Sequence, residues 1–387
     1  MRNWLLPEYI EDVLPAEAAR IEQLRRRLLD LFRVHGYQLV IPPLLEYLES
    51  LNTGAGHDLD LATFKVVDQL TGRLMGVRAD ITPQTARIDA HLLNQQGVTR
   101  LCYADSVLRT QPDGLAQTRQ PLQVGAELFG HAGIESDIEI QCLMVQALQL
   151  AGVASLQIDL SHVGIFRSLI RRAGISKELE AELYGGLQSK DKSALAEMVR
   201  KMEPVLQQAL LALTDLNGGP EVLQAAQARL PQHAEIKQAL QDLRRAAQQL
   251  EALGAGASFD LAELRGYHYH SGLVFAAYAD GCAGPLALGG RYDEVGEAFG
   301  RARAATGFSL DLRGLVTALP AAESAKGILA PYDADAALQK KVQELRAAGE
   351  VVVVELPGHE AYRAELNCDR VLIKKKNGWE VTSAANS

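Results

Sequence analysis

Strand-like segments stop near residue 163 and do not resume until Tyr267. In between, residues 163–253 form long stretches rich in Leu, Ala, Gln and Glu, broken at Gly218-Gly219-Pro220 and Leu230-Pro231. A run of that composition, punctuated only by glycine and proline, predicts a block of helices. Because strand chemistry lies on both sides of it, the block, over about 163–256, reads as an insertion in one α+β domain. The expected layout is a core domain over residues 1–325 and a small α/β domain over 326–387.

The first half supports that layout. Ile21, Leu24, Leu28, Leu31 and Phe32 recur at helical spacing within residues 16–34. Tyr37-Gln-Leu-Val-Ile41 reads as a strand stopped by Pro42-Pro43. Phe64–Asp68 and Arg73–Val77 flank Leu70-Thr-Gly72 as a hairpin. Thr82-Pro83 opens a helix that runs to about Leu93, with Thr82 as its N-cap. Leu122, Val124, Ala126 and Leu128 alternate with Gln123 and Glu127, so both polar side chains share one face of a half-buried strand. A helix is expected from Asp137 to Ala151 and a strand at Leu156–Leu160. After the insertion, Tyr267–Phe275 and Pro285–Tyr292 read as strands. The tail reads as one βαβ unit: Gly327–Ala330, a helix over Ala336–Ala348, and Glu350–Leu356, with a last strand at Arg370–Ile373.

Charge and composition narrow the function classes. The formal net charge is −9, which disfavours nucleic acid as the main partner, because phosphate neutralisation needs clustered Lys and Arg. No apolar run is long enough to span a bilayer, and a cytoplasmic protein is expected. Cys102, Cys142, Cys282 and Cys368 lie far apart and form no CxxC pair, so reduced structural thiols are expected. The phosphate loop GxxxxGK[ST], the GxSxG elbow and the HExxH zinc pair are all missing. His268 and His270 would share a strand face, yet no third ligand is evident, so no metal and no cofactor are expected.

The polar residues on extended segments are more informative as a set. Asp80 and Thr82 precede a helix, Arg109 and Arg119 flank a hairpin loop, and Gln123 and Glu127 share a strand face. Arg265, Tyr269, His270 and Tyr292 lie on later segments. Carboxylates can bind an ammonium and an arginine can bind a carboxylate, the complementarity of an amino-acid pocket.

The motifs carrying these residues resemble the catalytic core of class II aminoacyl-tRNA synthetases, histidyl-tRNA synthetase in particular, from about Leu6 to Leu319. Tyr37–Glu46 resembles motif 1, which implies a self-dimer through that region. Leu101–Gly130 resembles motif 2, and Arg265–Phe275 the histidine-specific segment. Gly289-Gly-Arg-Tyr-Asp293 and Gly307–Leu315 fall where the last strands and motif 3 belong. The implied fold is α+β: an antiparallel sheet flanked by helices, with the helical insertion. The resemblance implies that Asp80 and Thr82 hold an α-amino group. It also implies that Gln123, Glu127, Arg265, Tyr269, His270 and Tyr292 stand at or beside histidine contacts, and that Arg109 meets a carboxylate.

Departures from the motifs fall on the nucleotide side. Gln111 and Gln117 replace charged residues of the motif 2 loop, and Pro112-Asp-Gly114 replaces its basic stretch. Motif 3 of the synthetases ends Gly-Leu-Glu-Arg, whereas this chain reads Asp311-Leu-Arg313-Gly314. Adenylation depends on preorganised positive charge around the phosphates, so no catalytic residues are expected. The pattern, together with the short tail, resembles the paralogous ATP phosphoribosyltransferase regulatory subunits. That resemblance implies a non-catalytic chain needed for the first step of histidine biosynthesis. It further implies a hetero-oligomer, a hetero-octamer, with a short-form catalytic subunit, and histidine as the feedback effector. A divergent histidyl-tRNA synthetase, or another aminoacyl-adenylate-forming ligase, is the alternative.

Overall fold

Helix α1 (Pro15–Val34) starts with a proline in its first turn and buries Ile21, Leu24, Leu28 and Phe32 along one stripe. The computed structural model describes residues 4–51, 53, 57–112, 118–320, 326–376 and 378–384. Asp113, Gly114 and Gln117 of the motif 2 loop lie outside them. The chain forms two compact units, Met1–Pro320 and Ala321–Ser387.

After α1 come β1 (Gln38–Leu39), β2 (Leu45–Tyr47), α2 (Leu48–Leu51) and α3 (His57–Ala62). Only two residues of the expected Tyr37–Ile41 strand pair, because the prolines that follow cannot continue a ladder. Strands β3 (Phe64–Val67) and β4 (Leu74–Val77) make the expected hairpin, and β2 completes a three-stranded sheet in the order β2-β4-β3. Helix α4 (Thr82–Arg87) continues as a π-helix over Ile88–Leu93. Thr82 is its first helical residue and not its cap: the Asp80 carboxylate accepts the Thr82 amide at 2.9 Å.

Strands β5 (Thr99–Ser106) and β6 (Leu122–Phe129) pair antiparallel, followed by α5 (Ile134–Ala151) and β7 (Leu156–His162). The insertion then supplies α6 (Val163–Ala173), α7 (Lys177–Gln188), α8 (Lys192–Val199) and α9 (Pro204–Leu213). It continues through β8 (Asn217–Gly218), α10 (Glu221–Arg229) and α11 (Ala234–Ala252). Strands β9 (Gly256–Asp260), β10 (Leu273–Ala279), β11 (Ala287–Arg291) and β12 (Ala305–Asp311) follow, then α12 (Leu312–Ala318). The expected strand over Tyr267–Phe275 begins only at Leu273. Residues 264–270 are tight turns instead, with Gly266 at φ +62° and its carbonyl accepting both the Tyr269 and His270 amides.

Nine strands make one sheet in the order β1-β5-β6-β12-β11-β10-β7-β9-β8. Its centre is antiparallel, whereas β1 on β5 and β9 on β7 are parallel. The insertion therefore returns two strands to the sheet, and its apolar side chains share one core with α1, α5 and α12. On β6, Val124, Ala126 and Leu128 enter that core, so Gln123 and Glu127 must face the opposite side. Both are buried too, at 4% and 1% exposure, so the strand is covered on both faces and not half-buried.

The second unit pairs β13 (Gly327–Ala330), β14 (Val352–Val354), β15 (Cys368–Lys375) and β16 (Gly378–Ser383) in the order β14-β13-β15-β16. Helix α13 (Ala336–Ala347) packs Leu338 and Val342 against Ile328, Val352 and Leu372. The βαβ unit is present. β15 is longer than the sequence suggests, and antiparallel β16 goes unread in it.

Candidate functional site

The side of the central sheet opposite the core shared with α1, α5 and α12 is built from large polar side chains set against glycines. Tyr103 on β5 lies opposite Gly125 on β6, and Glu127 lies opposite Gly307 on β12. A β-carbon at Gly125 would come within 2.5 Å of the Tyr103 hydroxyl, and one at Gly307 would overlap the Glu127 carboxylate. Only glycine at these positions leaves room for both groups.

Glu127 anchors the floor. Its carboxylate accepts the Tyr103 hydroxyl at 2.9 Å on one oxygen and the Tyr292 hydroxyl on the other. Burial pushes this carboxyl up to about 8, opposed by the two tyrosine donors. Thr82 Oγ1 is 3.1 Å from the Tyr103 hydroxyl and donates to Asp80 Oδ1 at 3.0 Å. Gln123 donates to the same Asp80 oxygen at 2.8 Å, and its own carbonyl accepts the Ile81 amide at 2.9 Å. Asp80, Thr82, Gln123, Glu127 and Tyr292 thus form one hydrogen-bonded network with Tyr103 at its centre. The sequence gives no periodic sign of Tyr103, whose role depends on the β5–β6 register.

Above the floor opens a first cavity of about 610 Å³. Asp80 and Arg109 line its polar end, and Tyr184, Tyr267, His268 and Tyr269 its aromatic end. Tyr269 stacks on Tyr292 with ring centroids 5.1 Å apart. Its hydroxyl is buried and has no hydrogen-bond partner among the described residues. Arg109 is held by its Nε–H donating to Ala79 O at 3.3 Å, and its backbone amide pairs with Arg119 O at 2.8 Å. Arg119 braces the hairpin: it donates to Arg109 O and lies over the Phe64 ring at 4.7 Å. An acid, a guanidinium, an unpartnered hydroxyl and aromatic walls suit a small zwitterion carrying a flat ring.

Of the nine expected residues, Asp80, Arg109 and Tyr269 line this cavity, Thr82, Gln123, Glu127 and Tyr292 belong to the floor network, and His270 and Arg265 belong to neither. His270 sits behind the cavity, its ring nitrogen Nδ1–H donating to Arg291 O at 3.2 Å, and burial pushes its imidazole down to about 4. Arg265 points into a separate small cavity with Asp159, Glu263 and Tyr278, 3.5 Å from the Glu263 carboxylate. Both placements follow from the turns at 264–270, which for His268 and His270 break the period-two alternation assumed for a strand. His268 and His270 therefore do not share a strand face, and among the described residues no group of three or more His, Cys, Asp or Glu could hold a metal ion. Sequence reading also missed Tyr184, which the helical insertion brings to the cavity.

A second cavity of about 170 Å³ adjoins the first through Arg109 and runs over Gln123, Ser309 and Asp311 to Gly314. Among the described residues Arg109 is the only basic side chain lining it. Asp311 accepts the Leu122, Arg313 and Gly314 amides at 3.1, 3.1 and 3.2 Å. Arg313 does not reach the cavity: its guanidinium donates to Gln120 O at 3.2 Å and to Glu11 at 3.3 Å.

Comparison with known proteins matches both parts of this architecture. Residues 9–315 match the family described as histidyl-tRNA synthetase. Residues 325–382 match the family described as ATP phosphoribosyltransferase subunit HisZ C-terminal domain. The ATP phosphoribosyltransferase regulatory subunit of Methylobacillus flagellatus is 66% identical over 384 residues, covering 99% of each chain. That of Nitrosospira multiformis is 55% identical over 389 residues, again covering 99% of each. Among solved structures, an ATP phosphoribosyltransferase regulatory subunit/histidyl-tRNA synthetase from Bacillus halodurans superposes with a TM-score of 0.84 at 28% identity, covering 96% of this chain and 98% of that one. A histidyl-tRNA synthetase from Nostoc, at 17% identity and a TM-score of 0.80 over 100% of this chain and 96% of that one, shares the fold. A synthetase-like core joined to that C-terminal domain, with close relatives over the full length, makes this chain a member of the ATP phosphoribosyltransferase regulatory subunit family, a non-catalytic branch of the histidyl-tRNA synthetase fold.

Proposed function

We propose that this chain assembles with a short-form ATP phosphoribosyltransferase catalytic subunit, supports its activity in the first step of histidine biosynthesis, and passes on feedback by histidine. The observation that carries the reading is the division of the site. The amino-acid side keeps its acid, its guanidinium and its buried network. The adjoining cavity ends at Gly314, with Arg313 turned away to Gln120 and Glu11. Catalysis of adenylation needs cations fixed around the phosphates, and a single guanidinium does not supply that field. In the proposed pose histidine sets its ammonium on Asp80, its carboxylate on Arg109 and its ring against Tyr269. Histidine shifts activity only through unequal affinity for two states of the assembly. Exposed Leu39, Ile41, Leu44 and Leu45 lie within the motif 1 segment and suit a self-dimer there.

Isothermal titration with L-histidine and an ATP–pyrophosphate exchange assay test the reading together. Arg109→Ala should weaken histidine binding by about 10-fold or more, the loss of a charge-assisted contact, whereas Arg265→Ala should change it by less than about 3-fold. The chain should give no histidine-dependent exchange. Robust exchange would establish the ligase alternative, and equal losses in the two variants would remove histidine from this cavity.

A further inference from the structure

Three consecutive residues of the 264–270 turns, Tyr267, His268 and Tyr269, line the first cavity, yet the first and last are fastened to different elements. Tyr269 is fastened to the floor, stacked on Tyr292, whose hydroxyl donates to Glu127. Tyr267 is fastened to the insertion. Its hydroxyl donates to Glu180 of α7 at 2.6 Å, and its ring stacks on Tyr184 of α7 at 5.7 Å and 25°. Phe166 of α6 meets the ring edge-on at 5.2 Å, and the Arg167 guanidinium lies 5.3 Å from its centroid. Arg167 also donates to the Tyr267 carbonyl at 3.0 Å, and Gln188 of α7 donates to Ala262 O at 3.4 Å. Tyr267 is only 5% exposed, so little of its side chain is free to move without α6 and α7.

The floor network needs none of these contacts, and the helical insertion is already anchored through the apolar core it shares with α1, α5 and α12. Four kinds of contact from two helices on a single tyrosine in the cavity wall do more than close a loop. A ligand that displaces Tyr269 shifts the turn on which Tyr267 stands, two residues away. Packed aromatic contacts of this kind pass small displacements on as discrete rearrangements.

We infer that Tyr267 is a positioning residue that couples occupancy of the first cavity to helix α7, making the insertion the element that reports the ligand. The inference rests on histidine occupying that cavity. In it Tyr184 is the stacking contact and Glu180 the latch: the Tyr267 hydroxyl already donates to Glu180, and filling the cavity fixes the turn behind that bond and quiets α7.

Amide hydrogen exchange across Lys177–Gln188, with and without saturating L-histidine, tests it on the full chain, with titration calorimetry run in parallel. In the unsubstituted protein histidine should slow exchange in α7 by about 10-fold, within the range of measured site-to-site couplings. Tyr267→Phe deletes only the hydroxyl. It should cut the histidine-dependent slowing to under about 2-fold while leaving the calorimetric Kd within about 5-fold of its original value. Glu180→Gln, which keeps an acceptor for the hydroxyl, should retain most of the slowing. A merely structural tyrosine would raise exchange equally with and without histidine, and that result would overturn the proposal. So would calorimetric binding with no change in α7 of the unsubstituted chain, a result that leaves histidine binding itself intact. Binding that survives unchanged in Arg109→Ala, or no binding at all, would remove both the cavity assignment and the coupling built on it.

Discussion

Glu127 shows how one buried residue sets the character of the site. It is 1% exposed and satisfied by two tyrosine hydroxyls, yet burial still pushes its carboxyl from an ordinary 4.5 up to about 8. Between those values the native state holds more protons than the unfolded chain. Its contribution to stability is therefore full below about pH 4.5 and is lost as pH rises toward 8. Glu127→Gln removes that dependence, so its unfolding free energy should vary less between pH 5.5 and 8 than that of the unsubstituted protein, as urea titrations at the two pH values would measure. An unchanged pH slope would mean that Glu127 stays ionised throughout. At this scale the sequence was partly legible. Gln123 and Glu127 show themselves because a strand alternates with a period of two. Tyr103 does not, since its place beside Glu127 comes from strand register. Arg265 lies outside the first cavity, because the turns at 264–270 place it with Asp159, Glu263 and Tyr278.

Among the elements, β6 and β12 make the floor possible by pairing small residues against large polar ones. Gly307 faces Glu127, and a β-carbon there would overlap the carboxylate and come within 2.8 Å of Ala126 O. Gly307→Ala should lower the melting temperature by several degrees, in line with the roughly 1–3 kcal/mol that overpacking costs, and should weaken histidine binding along with it. Thermal unfolding followed by circular dichroism checks the first effect, and a melting temperature within a degree of the original would refute the packing argument. The motif 2 hairpin was legible from its two arginines and the alternating strand behind it. The end of the Thr82 helix was not. Its last turn winds as a π-helix to Asn94, at φ 45°, where the Asn94 amide donates to Asp89 O. Asp89 itself is buried against Arg303 at 2.8 Å, a partner 214 residues away that no local pattern foretells.

For the whole molecule, the outline was legible because composition changes sharply at the insertion and again at the tail. What composition could not show is that the insertion ends by returning β8 and β9 to the main sheet, so that its helices and the synthetase-like core share one interior. Nor could it show β16, where Trp379 and Val381 pack toward the α13 side but alternate with Glu380 and Thr382 in a strand of six residues. The site follows the same logic: Gln123 and Glu127 were readable from the alternation of their strand, while the fate of Arg313 depended on distant Gln120 and Glu11.

A chain that regulates a partner and performs no ligase chemistry of its own shows its effect in the partner's rate. The most direct test is the rate of phosphoribosyl-ATP formation by a short-form catalytic subunit from the same organism, measured alone, with this chain, and with this chain plus L-histidine. Expected are no product from this chain alone, at least about 10-fold stimulation on mixing, and loss of that stimulation as histidine saturates, a change of the size that coupling between sites provides. A catalytic subunit equally active with and without this chain would contradict the regulatory role.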